Sequence, residues 1–229
     1  MKIIPSSTFD FLKKLDKHNN RNWFEKNKHI YIREHENVCA FADEMIMVMN
    51  KHDVIDTASG KKSVYRIYRD VRFSKDKTPY RTHFGGILSR ATKARRGTYY
   101  FHLELGNSYA GGGFWGPETH DLKRIRDEFA ADGKTFRKII NSKKFKSTFG
   151  KLQGEQLKTA PKGFDKEHPD IDLIRFKQFL LFRKFTDKEV LSKDFAKKLN
   201  ETFKAMRPFL NYMSDVLTTD VNGESLIGS

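Results

Sequence analysis

Apolar residues recur at helical spacing at the start of the chain. Phe11, Leu12 and Leu15 make one stripe; Trp23, Ile30, Val38, Phe41, Met45 and Val48 make a second that runs on to about residue 51. Ser7 with Asp10, and Asn22 with Glu25, have the three-residue offset of helix-start capping pairs. The second stripe weakens near Glu34, where a break is expected. At residue 64 the period changes to two. Tyr65, Ile67, Val71 and Phe73 fall on one face and Arg66, Tyr68, Asp70 and Arg72 on the other, which predicts a strand over 64–73. Strands are predicted again at 84–89, at 98–105 and at 108–115. In the second of these Tyr99, Phe101, Leu103 and Leu105 alternate with Tyr100, His102 and Glu104. The third contains Gly111, Gly112 and Gly113, the composition of a bulge or of a close backbone approach. Between them, 90–97 carries Arg90, Lys93, Arg95 and Arg96 and reads as a solvated hairpin tip.

Helical spacing returns after Pro117 with Leu122, Ile125 and Phe129, and shorter helices are expected at 136–140 and 145–152. Residues 176–185 are apolar on both faces and predict a buried strand. Thr186 and Glu189 form another capping pair. Ser192 opens a closing helix with Phe195, Leu199, Phe203, Met206, Leu210 and Met213, which Pro208 should kink. Strands grouped between helices predict an α+β fold: a mostly antiparallel sheet with helices packed on one face and helices at both the N- and C-terminal ends. No repeat or long linker divides the chain. Residues 1–217 therefore read as a single domain and 218–229 as a flexible C-terminal tail.

Composition sharpens this picture in two ways. Twenty Phe, 8 Tyr and 2 Trp in 229 residues supply a bulky core despite a hydrophobic content of only 38%. Lys+Arg outnumber Asp+Glu 44 to 29, a net charge of +15 that favours anionic partners. The excess is local: residues 61–96 hold twelve Lys/Arg and two Asp. The lone Cys39 excludes an intramolecular disulfide and a cysteine metal cluster, and reads as a small core residue. The first residues lack the apolar run of a secretory signal, and no stretch reaches the ~18 apolar residues of a membrane span. A soluble, cytoplasmic protein without a membrane partner is the expectation.

The most chemically loaded stretch is 65–83. It spaces its residues as Arg66-x-x-Arg69-Asp70-x-Arg72-Phe73-x-x-Asp76-Lys77-x-x-Tyr80. This motif resembles that of a family of uncharacterised bacterial and fungal proteins, a domain-of-unknown-function family. Asn22-Trp23-Phe24, the stretch Gly111 to Trp115 with Pro117, and the stretches Leu157-Lys158 and Pro161 to Phe164 extend the resemblance over the whole chain. The family implies no activity, so function rests on the residues.

If the predicted strands turn the same faces to the helices, Arg66, Tyr68, Asp70, Arg72, Tyr100, His102 and Glu104 share one polar surface. With the loop 74–81 it would form a pocket for a phosphate or carboxylate, bound by Arg66, Arg72, Lys75, Lys77, Tyr80 and Arg81, because arginine forks bond two oxygens at once. The alternative is a structural ion-pair network. Arg69 falls on the apolar face; an inward arginine must be paired, so a structural role is expected, with its partner in the helical layer. His102 and Glu104, two apart on one strand face, have the spacing of an acid–base pair, with Asp70 as a third member. The same three residues would suit a metal. The commonest arrangement of such a pair is plain cross-strand contact, and no metal and no cofactor are expected. Two functions follow: an enzyme or sensor for a small phosphorylated or carboxylated ligand, or an RNA- or DNA-binding module using 61–96 as a track. P-loop, dinucleotide-binding and zinc-protease motifs are missing from the sequence.

Overall fold

The computed structural model describes residues 2–91, 95–220 and 224–226. Three helices come first: α1 (Ser6–Lys17), α2 (Arg21–Met49) and the one-turn α3 (Gly60–Ser63). Strands β1 (Phe84–Ser89), β2 (Thr98–Leu103) and β3 (Ser108–Phe114) follow, then α4 (Thr119–Ile140), α5 (Lys143–Phe149) and α6 (Ile171–Ile174). The chain closes with β4 (Phe179–Phe185), α7 (Asp187–Val190) and α8 (Phe195–Thr218). The four strands make one antiparallel sheet in the order β1-β2-β3-β4. The fold is α+β with helices at both ends, as the hydrophobic pattern predicts.

The helix starts differ in detail from the pattern reading. Pro5 precedes α1, and Ser7 lies inside it, where its hydroxyl donates to Glu34 Oε2 at 3.0 Å. Thr8 Oγ1 donates to the same oxygen at 2.9 Å and Asn37 Nδ2 at 3.2 Å, while Arg33 bonds Oε1. Glu34 is fully buried, and these donors offset its loss of water. Glu34 thus ties α1 to α2, and α2 passes through it unbroken. Asn20, not Asn22, caps α2, accepting from the Trp23 amide at 3.0 Å. The Thr186–Glu189 capping box forms as expected.

The largest departure concerns 64–73, which is not a strand. It is the outgoing arm of an irregular excursion before β1, held by isolated bridges Val64–Gly86 and Tyr68–Tyr80. The Tyr65 amide donates to Gly85 and the Arg81 amide to Ile67. Between those two pairs lie one outgoing residue, Arg66, and three returning ones, Thr82, His83 and Phe84. The ladder cannot stay in register across that mismatch, and the return arm bends at Thr82 and His83.

Packing divides into two units. In the first (Met1–Ser89, Tyr100–Ala110, Lys184–Glu201) Phe41 of α2 meets Phe101 edge-on at 5.8 Å and stacks on Phe195 at 5.5 Å. Phe11 and Tyr31 stack on Phe84, which fixes the start of β1 against the helices. In the second (Arg90–Tyr99, Gly111–Arg183, Thr202–Ser229) Phe129, Phe136, Phe179 and Phe209 form the aromatic core. Gly113 has φ +124°, and a Cβ there would lie 2.1 Å from the carbonyl oxygen of Phe179 on β4. The glycine run therefore serves a close approach of the neighbouring strand's backbone.

The expected solvated tip at 90–97 is also corrected. Arg90 is buried and donates to Asn211 and Ser214, and Arg96 pairs with the buried Asp121. Lys93 lies outside the described residues. Of the expected tail, Thr218 ends α8 and Thr219 bridges Ser225; residues 221–223 and 227–229 lie outside the described residues.

Candidate functional site

The excursion pairs both of its carboxylates with its own arginines. Asp70 and Arg72 form an exposed fork, with Nη2 to Oδ2 at 2.6 Å and Nε to Oδ1 at 3.0 Å. The guanidinium and the Arg72 amide hold the Asp70 carboxyl below its usual range. Arg69 bonds Asp76 and both the carbonyl and the hydroxyl of Thr78. It is paired, but by the loop rather than by the helical layer that the alternation implied. Three groups hold Asp76 down at about 2: the Thr78 amide first, then Arg69 and the Thr78 hydroxyl. Lys77 Nζ donates to the Val71 carbonyl at 3.0 Å, and Arg66 and Lys75 are exposed. Tyr80 is buried, its ring stacked on Phe24 at 3.9 Å, while Asn19 clamps its backbone from both sides at 2.9 and 3.1 Å. Tyr68 packs edge-on against Phe24 and Tyr80. The polar surface expected from a strand at 64–73 does not form, because that strand does not.

A cavity of about 390 Å³ opens instead at the base of the return arm, lined by Asp16, Asn19, Arg69, Asp76, Thr78, Tyr80, Arg81, Thr82 and His83. Of the arginines and lysines expected to bind a ligand, the cavity gathers Arg81. Its guanidinium lies 5.9 Å from the Tyr65 ring centroid, and its Nε–H is buried without an acceptor. Arg81 has no carboxylate partner among the described residues. The other arginine in the wall, Arg69, is taken by Asp76.

His83 links this cavity to β2. Its ring lies 4.2 Å from that of His102, centroid to centroid. His102 Nε2 is 3.1 Å from Glu104 Oε2, Nδ1 is 3.0 Å from Tyr100 Oη, and the ring stacks on Tyr109 at 4.6 Å. Glu104 also accepts from Asn107 Nδ2 at 2.7 Å, and Ser108 Oγ bonds both its amide and its carbonyl. Gly85 makes room for Tyr100: a Cβ there would stand 2.4 Å from Oη. His102 is 7% exposed. Burial lowers its pKa against the pull of Glu104. Burial, then His102 and Arg81, takes His83 down to about 4. Burial tends to raise Glu104, but Asn107 and His102 hold it below its usual value. Burial, then Tyr109 and Tyr65, raises Tyr100.

The alternation puts Tyr100, His102 and Glu104 on one face and adds Asp70; the structure keeps the first three together and adds His83 and Tyr109. Two tyrosines, two histidines and a carboxylate beside an arginine-walled cavity define a polar site on the rim of an α+β sheet. A family model described as conserved hypothetical protein (DUF2461) matches residues 7–212, and the chain belongs to that family. No curated protein and no solved structure matches it significantly. No helix among the described residues is long and apolar enough to cross a membrane.

Proposed function

We propose that the protein binds a small ligand carrying a phosphate or carboxylate group in the cavity at Arg81, with the His102–Glu104 pair placed to exchange protons beyond His83. The observation that carries this reading is Arg81, a cation at a concave surface that has, among the described residues, no carboxylate of its own and a buried donor without an acceptor. An anion in the cavity offsets that charge, and Thr82 adds a neutral donor in the wall. Asp16 tempers the field but forms no ion pair with Arg81. The neighbouring histidine and carboxylate supply the proton-transfer partners of an enzyme, which distinguishes this site from a passive anion trap.

The test is thermal unfolding with inorganic phosphate and small mono- and dicarboxylates, on the wild-type chain and Arg81→Met. A ligand at 100 times its dissociation constant adds about 2.7 kcal/mol, a rise of roughly 5–10 °C at this chain length. Wild type is expected to shift with one anion class and Arg81→Met to stay flat. A flat wild type, or equal shifts in both, overturns the proposal. One observation favours a second reading, single-stranded nucleic acid. Phe73 is 96% exposed at the tip of the excursion, with the Arg72 guanidinium 5.9 Å from its ring centroid and Lys75 exposed nearby in sequence. A shift with a short RNA alone, fading steeply with salt, would replace the first reading by the second.

A further inference from the structure

His83, His102 and Glu104 each offer one ligating atom, and these atoms all lie within 4.8 Å of one another. We infer that the three residues form a mononuclear site for a divalent first-row transition metal, zinc being the reference ion. Two imidazoles and a carboxylate are the donor set of open, catalytic-type zinc sites, which leave a position for water or a ligand. Imidazole donors select against magnesium and calcium, which take oxygen ligands.

The geometry already supplies one edge of such a site. Ligand bonds of about 2.0–2.2 Å put tetrahedral neighbours roughly 3.3 Å apart, and His102 Nε2 stands 3.1 Å from Glu104 Oε2. His83 closes the remaining edges by rotating about its side-chain torsions. Neither of its ring nitrogens has a hydrogen-bond partner among the described residues, so the rotation breaks no such bond. The surroundings have the form of an outer shell. Tyr100 Oη meets His102 Nδ1, and Asn107 donates to the Glu104 carboxylate. A lone acid–base pair explains His102 and Glu104 but gives no role to the third donor. The register mismatch at Thr82 and His83 turns His83 toward the end of β2, and His83 also lines the cavity, so an open metal position has access to an anion there.

The arrangement implies a tautomer exchange. Without metal, neutral His102 donates Nε2–H to Glu104 and accepts from Tyr100. With metal on Nε2, its proton sits on Nδ1 and is donated to Tyr100 Oη. Zinc titration of the chelator-stripped full chain by calorimetry tests the site, with nitrogen-15 spectra reporting the His102 tautomer. One zinc per chain is expected, with Nδ1–H replacing Nε2–H. Affinity should fall at least about 100-fold in Glu104→Gln and in His102→Ala. It should fall about 10- to 100-fold in Tyr100→Phe, which removes only an outer-shell partner. Glu104→Gln keeps the side-chain volume and remains informative if His102→Ala misfolds. Absence of saturable binding, or binding indifferent to Glu104→Gln, overturns the site. Arg81→Met is expected to retain zinc while losing the anion. A wild-type chain that binds the anion but takes up no zinc overturns the metal and leaves the anion reading standing.

Discussion

The excursion at 65–81 and the polar end of β2 carry the two densest groups of reactive side chains in the first unit, and they are organised in opposite ways. In the excursion, polar partners sit two to nine residues apart and find each other locally: Asp70 with Arg72, Asp76 and Thr78 with Arg69. Such exposed pairs contribute little, because water and salt screen them. At the end of β2 the hydrogen bonds are just as local, but ring contacts bring His83 from the return arm and Tyr109 from β3 onto His102, and the groups are half-buried or buried. Charge density marks where a chain can attract an anion. Convergence of groups from distant segments marks where it can do chemistry.

The sharpest way to break the comparison is to remove the one motif residue that belongs to the core. Tyr80→Ala deletes a ring that is 4% exposed and stacked on Phe24 at 3.9 Å. A loss of about 3–5 kcal/mol is expected, as for other large aromatic truncations. Arg72→Met, in the same motif, should change stability by less than about 1 kcal/mol. Urea unfolding of the two variants decides it; equal effects would mean that the surface fork is a structural element after all.

A middle-sized effect probes the support of the histidine cluster. Gly85→Ala places a methyl 2.4 Å from Tyr100 Oη, so the phenol must move. The expected cost is about 1–3 kcal/mol, as for other overpacked sites. The Tyr100–His102 hydrogen bond should be lost with it, visible as a changed His102 imidazole proton resonance. An unshifted resonance would show that Tyr100 does not orient His102.

What was legible in the chain follows the same division. The strand predicted at 84–89 is β1, and the alternation at 98–105 marks β2, which ends two residues earlier at Leu103. Residues 64–73 alternate just as well, but alternation does not say whether the opposite arm can stay in register. The three returning residues against one break the ladder and leave an irregular arm. His83 went unassigned for the same reason. It lies nineteen positions before His102, and only the pairing of β1 with β2, together with the bend before β1, brings their rings to 4.2 Å. Tyr109 reaches His102 through the next pairing, β2 with β3. The hint available is composition: Tyr100, His102 and Tyr109 lie in successive predicted strands, and His83 directly precedes the strand at 84–89. The position of Arg69 on the apolar face calls for a partner; which partner it takes depends on the loop's return, which spacing does not specify.

The smallest expected effect asks whether the excursion's local pairing persists in solution. Asp76 in the folded chain titrates near 2, because the Thr78 amide, Arg69 and the Thr78 hydroxyl all favour its ionised form. An unfolded aspartate titrates near ~3.9. The folded value is the lower one, so folding favours the carboxylate. The contribution is fully present above the unfolded value and is lost as pH falls through about 2. The carboxylate is exposed, so the effect on global stability is slight and the carboxyl itself is the better reporter. A carbon-13 titration of the Asp76 side chain should show a midpoint close to 2 in the wild type. In Arg69→Met it should move up toward the ordinary range without reaching it, since the Thr78 amide remains. A wild-type midpoint near 4 would show that the loop is not held by these bonds, leaving the motif's cations free to act on a partner and tilting the comparison back toward the excursion.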